Sequence, residues 1–184
     1  MIAAAVLRYI RNIRGMYFLF LFIMFLYLLN VAKLTLFPFP LASDAFAPNI
    51  RQSLNLIPFI NGVGRTDFYN VLLMAPLGFG APFVLKIRTN KKLLLIAFLS
   101  GIVIESLQLG IALVSGGFTF RTIDVNDVIF NFVGTLVGYV LLHVFAKVFL
   151  RLVRNRRNGL TAFWAYVFDV CVSLPKFNSK KNGS

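Results

Sequence analysis

Three carboxylates lie close together in a part of the chain that is otherwise apolar: Glu105, Asp124 and Asp127. They are half of the six acidic residues, in a chain that carries 19 Lys and Arg. A carboxylate at membrane depth is costly and usually has a function there. Polar side chains accompany them at short spacing: Gln108, Arg121 and Asn131. This stretch is therefore the candidate functional site.

Several kinds of chemistry are open to such a group. Carboxylates near an Arg can act as general acid and base, with pKa values perturbed by burial. Oxygen ligands from Glu105, Asp124 and Asp127 can also hold a divalent cation, and a mid-helix Glu105 can carry a proton. We expect Arg121 to pair with Glu105. Part of the explanation is structural, because Asp124 can be a helix N-cap and Asp127, three residues on, can complete a capping pair.

The composition is that of a membrane protein. Hydrophobic residues make up 59% of the 184 residues, and 21 of these are Phe. Mean hydropathy is +0.81, so lipid and helix contacts must cover this apolar surface. Cys171 is the only cysteine, which excludes an intrachain disulfide. No resident cofactor is expected, apart from the divalent cation considered above.

We predict an all-α membrane protein, with a bundle of four transmembrane helices, because about 20 helical residues cross a bilayer. The domain is 16–150, with spans at 16–37, 70–85, 93–113 and 128–150. A cleaved signal peptide is the alternative for the first, since Ala45-Phe46-Ala47 resembles a cleavage site. The second contains Pro76 and Pro82, so neighbouring helices must repair its backbone ladder. Gly134 and Gly138 share one face of the fourth, which favours helix packing or a homodimer contact.

The basic residues predict the orientation of the bundle. Fifteen of the 19 Lys and Arg fall on one side: three in the N-terminal segment 1–15, four between the second and third spans, and eight from Lys147 onward. Lys and Arg are retained in the cytoplasm, so both termini are expected there. Topology and anionic lipid also explain the net charge of +13 without nucleic-acid binding. The basic tail 151–184 should carry an interfacial helix at 160–174, with a fifth span as the alternative.

This orientation brings the polar residues to one level in the outer half of the membrane. Glu105 lies about 12 Å below the outer end of its span, at 1.5 Å per residue. Residues three and four apart share a helix face, so the polar positions of the second, third and fourth spans converge. Loop residues Asn55 and Arg65 can form a lid, whereas His143 lies near the other end and is read as structural. The expected ligand-binding residues are Asn55, Asn70, Glu105, Gln108, Arg121, Asp124, Asp127 and Asn131.

Several ordered blocks resemble the VanZ-like family of bacterial membrane proteins. They are SLNLIPF at 53–59, NVLLMAPLGF at 70–79, ESLQ at 105–108 and DVND at 124–127, followed by Asn131, Gly134 and Gly138. Members generally have Asn and then Thr where this chain has Asn131 and Phe132. The resemblance covers roughly 51–139 and implies a small multi-span protein of the bacterial plasma membrane. The founding type of the family confers low-level resistance to teicoplanin.

Three functions are compatible with these features. In the first, an outer-leaflet polar pocket engages an amphiphilic or lipid-linked molecule of the cell envelope, with membrane lipids and lipoglycopeptides such as teicoplanin as partners. In the second, the carboxylates make the protein an enzyme acting on a lipid-linked substrate, although no recognised catalytic motif is present. In the third, Glu105 is the protonation site of a small proton-coupled lipid transporter.

Overall fold

The computed structural model describes residues 2–38, 49–60, 62–119, 121–153 and 159–175, with side chains from Arg14 onward. Their fold is all-α, as predicted, apart from two very short strands. The elements in chain order are α1 (Ile2–Leu36), α2 (Ile50–Ser53), β1 (Leu54–Asn55), α3 (Arg65–Val84), α4 (Asn90–Val114), β2 (Ile123–Asp124), α5 (Val125–Val153) and α6 (Ala162–Ser173). The segment with the cleavage-like Ala45-Phe46-Ala47 and the tail 176–184 lie outside the described residues.

Three of the described helices are long and apolar enough to cross a membrane. These are Arg14–Leu36 within α1, together with α4 and α5. The second predicted span is also a helix, α3, which begins five residues earlier than expected and runs for 20 residues. The hydropathy of α3 is lower than that of these three helices. This agrees with its position, because α3 packs extensively along α5 and also contacts α1. Protein rather than lipid therefore covers much of its surface.

Glycines allow α3 and α5 to touch through their backbones. A Cβ on Gly134 would overlap the backbone of Val71, one on Gly138 that of Ala75, and one on Gly78 the carbonyl of Thr135. The predicted packing role of the α5 glycines is thus seen within one chain. Within this chain α3 occupies the face of α5 that carries Gly134 and Gly138, and a homodimer contact through these residues stays a prediction.

The backbone ladder of α3 is interrupted at two prolines. Pro76 and Pro82 lie inside the helix, and each lacks the N–H that would continue the backbone ladder. The Tyr27 hydroxyl of α1 donates a 2.7 Å hydrogen bond to the carbonyl oxygen of Leu73. The carbonyl that Pro76 leaves without an intrahelical donor is that of Leu72, one residue earlier, so the Tyr27 bond ties α1 to α3 beside the proline and does not replace the missing one.

The helix ends form two chemically different ends of the bundle. The first, which we call the acidic end, contains the end of α1, the beginning of α3, the end of α4 and the beginning of α5. The opposite end, which we call the basic end, contains Lys86, Arg88, Lys91 and Lys92 in and after the turn from α3 to α4. Phe20 of α1 stacks on Phe83 of α3 near that end, with ring centroids 4.6 Å apart.

Helix α6 closes the basic end of the bundle. It has 12 residues, or about 18 Å, which is too short to cross a hydrocarbon layer of about 30 Å as a helix. One face of it, from Tyr166 to Cys171, packs into the core, and the Tyr166 hydroxyl donates to the carbonyl of Phe83 at 2.5 Å. His143 contacts the carbonyl of Pro175 through Nε2 at 3.0 Å, which agrees with a structural role for this residue.

Candidate functional site

Two loops are joined at the acidic end by a short parallel strand pair. Leu54 of β1 is paired with Ile123 of β2, and Asn55 with Asp124. A bridge between Asn49 and Phe118 continues the contact. The loop before α3 is therefore fixed against the turn between α4 and α5, and Asn55 is carried to the first turn of α5.

Asp124 uses both of its carboxylate oxygens. Oδ2 accepts a 2.9 Å hydrogen bond from Nδ2 of Asn55, and Oδ1 accepts one of 2.8 Å from the backbone N–H of Asn126. The second bond is that of an N-cap residue, because Asp124 directly precedes α5. Asp124 is thus a cap, as one of the two sequence interpretations proposed, and also an anchor for the loop.

The side chain of Glu105, in the middle of α4, also reaches Asp124 at the start of α5. It is only 8% exposed, and its Oε2 accepts a 3.1 Å hydrogen bond from the backbone N–H of Asp124. The helices come close because Gly101 of α4 has no side chain, and a Cβ there would lie 2.9 Å from the carbonyl oxygen of Val128. A carboxylate from one helix thereby sits at the N-terminus of another, where the helix dipole favours negative charge.

Asp127 binds Asn70 and has a second acidic neighbour that sequence reasoning missed. Nδ2 of Asn70 donates to Oδ1 of Asp127 at 2.5 Å. Asp67, in the first turn of α3, is buried and accepts a 2.6 Å bond from the N–H of Gly64. Asp67 and Asp124 both interact electrostatically with Asp127. We call these four carboxylates the acidic cluster: Asp67, Glu105, Asp124 and Asp127.

Arg121 does not pair with Glu105, so that expectation was wrong. Its Nη2 donates to the carbonyl oxygens of Leu34 at 2.7 Å and Phe37 at 2.8 Å. The last carbonyls of a helix have no intrahelical donor, which makes the end of α1 a good acceptor for a guanidinium. The positive charge of Arg121 still offsets part of the negative potential at Asp127. Its main contact ties α1 to the acidic end.

Gln108 also faces α1, one turn from Glu105. Its Nε2 donates a 3.0 Å hydrogen bond to the carbonyl oxygen of Thr35, and both side chains are buried. A cavity of about 200 Å³ lies beside this contact, between α1, α3 and α4. Thr35, Ile104 and Leu107 are among its lining residues, so the cavity is largely apolar and adjoins the face of α4 that carries Glu105 and Gln108.

Three buried oxygen atoms lack a hydrogen-bond partner among the described residues: Oε1 of Glu105, Oε1 of Gln108 and Oδ1 of Asn131. Their side chains are 8%, 7% and 2% exposed. Leaving such an acceptor unsatisfied costs roughly 1–3 kcal/mol, and more for a charged group. The acidic end of the bundle therefore has an excess of acceptors and can accommodate a hydrogen-bond donor or a cationic group.

Asn126 is a second polar residue that received no role from the sequence. It is 3% exposed, and its Oδ1 accepts a 3.0 Å hydrogen bond from the N–H of Phe59. Phe59 has a φ of 60°, in the left-handed region that a non-glycine residue adopts only when its surroundings hold it. The Asp-Val-Asn-Asp block could have indicated a role for Asn126, because a polar residue between two site carboxylates in apolar sequence needs a hydrogen-bond partner. Arg65, the other expected lid residue, is exposed at the start of α3.

The carboxylates are not arranged as a metal site. Across the described part of the chain, no group of three or more His, Cys, Asp or Glu side chains could hold a metal ion. The expected divalent-cation site at Glu105, Asp124 and Asp127 is therefore not supported by the geometry.

The sequence profile of the VanZ/LLP1 family matches residues 20–146, well over half of the 184 residues. The matched segment contains the acidic cluster, both short strands and most of the helical bundle. A comparison with curated proteins found no match, and neither did one with solved structures. The length of the matched segment shows the family, as the ordered sequence blocks had indicated: this chain is a membrane protein of the VanZ/LLP1 family.

Proposed function

We propose that this protein crosses the bacterial plasma membrane several times, with both termini in the cytoplasm and the acidic end in the outer leaflet. The distribution of charge supports this orientation, because the three sequence segments predicted to be cytoplasmic contain 15 of the 19 basic residues. The long apolar helices α1, α4 and α5, together with the 20-residue α3, would provide four spans, and an even number of spans returns the chain to the side on which it began. A ligand would then reach the acidic cluster from the outer face or from the outer lipid layer.

At this end, the protein binds an amphiphilic or lipid-linked molecule of the cell envelope. The observation that carries this proposal is the set of unpartnered buried acceptors on Glu105, Gln108 and Asn131, beside the acidic cluster. A fold does not bury three free acceptors without cost, so a bound group with N–H or O–H donors would stabilise it. Surplus negative charge favours a ligand head group that is cationic or rich in donors.

The neighbouring apolar cavity explains why the ligand should also have a hydrophobic part. The cavity of about 200 Å³ between α1, α3 and α4 adjoins the contact of Gln108 with Thr35. A polar head group at the cluster and an apolar chain in this cavity would use both surfaces. Teicoplanin has both parts, since it is a glycopeptide with an acyl chain. Lower susceptibility to lipoglycopeptides follows if the protein binds them before they reach their target.

The test compares drug binding and drug susceptibility in variants of the cluster. Glu105→Gln and Asp127→Asn each remove one negative charge with little change in shape. Losing a charge-assisted hydrogen bond of about 1.5–3 kcal/mol should weaken teicoplanin binding to the protein in nanodiscs about tenfold or more. Cells that produce either variant at the wild-type level should become correspondingly more susceptible.

Asp169→Asn is the matched control, because it makes the same chemical change in α6, at the other end of the bundle. This variant should bind teicoplanin as the wild type does. A glycopeptide without an acyl chain should bind weakly to all of the proteins. Equal teicoplanin binding by the wild type and both cluster variants would refute a binding role for these carboxylates.

A further inference from the structure

A second, larger cavity lies at the basic end, away from the acidic cluster. It has a volume of about 760 Å³ and lies between α1, the turn after α3 and α6. Arg14, Lys86 and Arg88 line it, and each of these side chains is exposed. One carboxylate, Asp169 of α6, lines it as well. Three cations against one anion make the cavity electropositive, in contrast to the acidic end.

The rest of the cavity wall is mostly apolar. Phe83, Ile87 and Val170 contribute to it, and all three belong to the buried core of the bundle. The Tyr166 hydroxyl, also in this wall, is already used in its bond to the carbonyl of Phe83. A ligand that fills the cavity must therefore combine negative charge with an apolar body.

Backbone contacts hold two of the cations in place. After α3 ends at Val84, the N–H of Leu85 bonds to the carbonyl of Ala81 at 2.7 Å, and the N–H of Ile87 to that of Leu85 at 2.9 Å. Nζ of Lys92 donates to the carbonyl of Lys86 at 3.0 Å, which ties this turn to α4. The backbone that carries Lys86 and Arg88 is therefore already ordered. Ligand binding then loses less conformational entropy in this segment.

We propose that this cavity binds one anionic phospholipid of the leaflet at the basic end. Its phosphate lies between Arg14, Lys86 and Arg88, and its glycerol and upper acyl chains lie against the apolar wall. Free phosphate would use the cations alone and leave the apolar wall empty, whereas a phospholipid uses both. This site is independent of the binding site proposed at the acidic end. Through it the protein distinguishes anionic from neutral phospholipids.

The experiment measures lipid binding to the purified full-length protein in a neutral detergent by native mass spectrometry. Phosphatidylglycerol is titrated against phosphatidylcholine of the same acyl chains. The wild type should bind one phosphatidylglycerol in preference. The double variant Lys86→Gln, Arg88→Gln should bind it about 30-fold more weakly, at about 1 kcal/mol for each cation near an anionic lipid. Both side chains are exposed, so we expect the fold to be retained, which circular dichroism checks.

Lys147→Gln, Arg151→Gln is the matched control, because it removes two exposed cations of α5 that do not line the cavity. Its phosphatidylglycerol affinity should stay within about twofold of the wild type, and so should that of the charge-conserving Lys86→Arg, Arg88→Lys. If both Gln double variants bound phosphatidylglycerol equally weakly, the effect would come from general surface charge and the proposal would be wrong. An absence of preference in the wild type, or displacement of the lipid by millimolar inorganic phosphate, would also overturn it.

Discussion

The backbone N–H of Asp124 donates its hydrogen bond to Oε2 of Glu105, across the interface between α4 and α5. One carboxylate oxygen of Glu105 thus has a structural task at the start of α5. The other, Oε1, has no partner among the described residues. Oε2 therefore contributes to the stability of the fold, and Oε1 is the oxygen proposed to bind the ligand. Different substitutions of Glu105 should separate these two properties.

Glu105→Ala should cost about 1–3 kcal/mol of stability, because it leaves the N–H of Asp124 without an acceptor. Glu105→Gln keeps an acceptor at that position and should unfold within about 1 kcal/mol of the wild type, although both variants lose ligand binding. Denaturant unfolding in mixed micelles measures the first property, and teicoplanin titration the second. If Glu105→Gln were as unstable as Glu105→Ala, the charge itself would be structural.

The contact of Asn55 with Asp124 should tolerate an exchange of its two residues. Asn55→Asp alone places two carboxylates together and should detach the loop from α5. Adding Asp124→Asn restores a donor and an acceptor, because the new amide can still accept the N–H of Asn126. We expect a coupling energy of about 1–3 kcal/mol from a double-mutant cycle of unfolding free energies. Additive effects of the two changes would show that the pair makes no energetic contribution.

The backbone contact of α3 with α5 predicts a strong dependence on residue size. Gly138→Ala would drive a Cβ into the carbonyl of Ala75 and should cost about 3 kcal/mol or more of stability. Gly110→Ala in α4 is the control, since nothing lies within 4 Å of that position, and it should gain about 0.5–1 kcal/mol. Unfolding in the same micelles compares the two variants. A mild effect at Gly138 would mean that the helices can separate at little cost.

Cysteine labelling tests the proposed orientation of the bundle. Cys171 is buried and is the only cysteine, so Cys171→Ala provides a suitable background. A new cysteine at Val114, which is 91% exposed at the acidic end, should react with an impermeant maleimide in intact cells. A cysteine at Arg88 should react only after the cells are opened. The reverse pattern would place the acidic end in the cytoplasm.

The helices could be predicted from sequence because lipid contact leaves a simple signal. Long apolar runs gave α1, α4 and α5 to within a few residues at most ends, whereas α1 begins at Ile2 rather than at Met16. The start of α3 was harder to predict. Arg65 and Asp67 look like loop residues by hydropathy, yet Asp67 belongs to the first turn, where it accepts the N–H of Gly64. Local capping decided that boundary, and hydropathy does not report capping.

The site was only partly predictable, for a related reason. Spacings of three and four residues indicated that polar groups on α3, α4 and α5 share one level, and the structure joins Asn70 to Asp127 and Glu105 to the start of α5. The partners of Arg121 could not be foreseen, because they are backbone carbonyls at the end of α1 and any residue type can supply a carbonyl. The pairing of Asn55 with Asp124 likewise depends on two loops that meet only in the folded protein.

The short parallel strand pair also determines when the acidic end can form during synthesis. Asn55 must wait for Asp124, 69 residues later in the chain, and Asp127 must be made before Asn70 has its partner. A nascent chain that ends after α4 would therefore carry Glu105 without the N–H that satisfies its Oε2. The acidic end is therefore completed only when the first turn of α5 is in place.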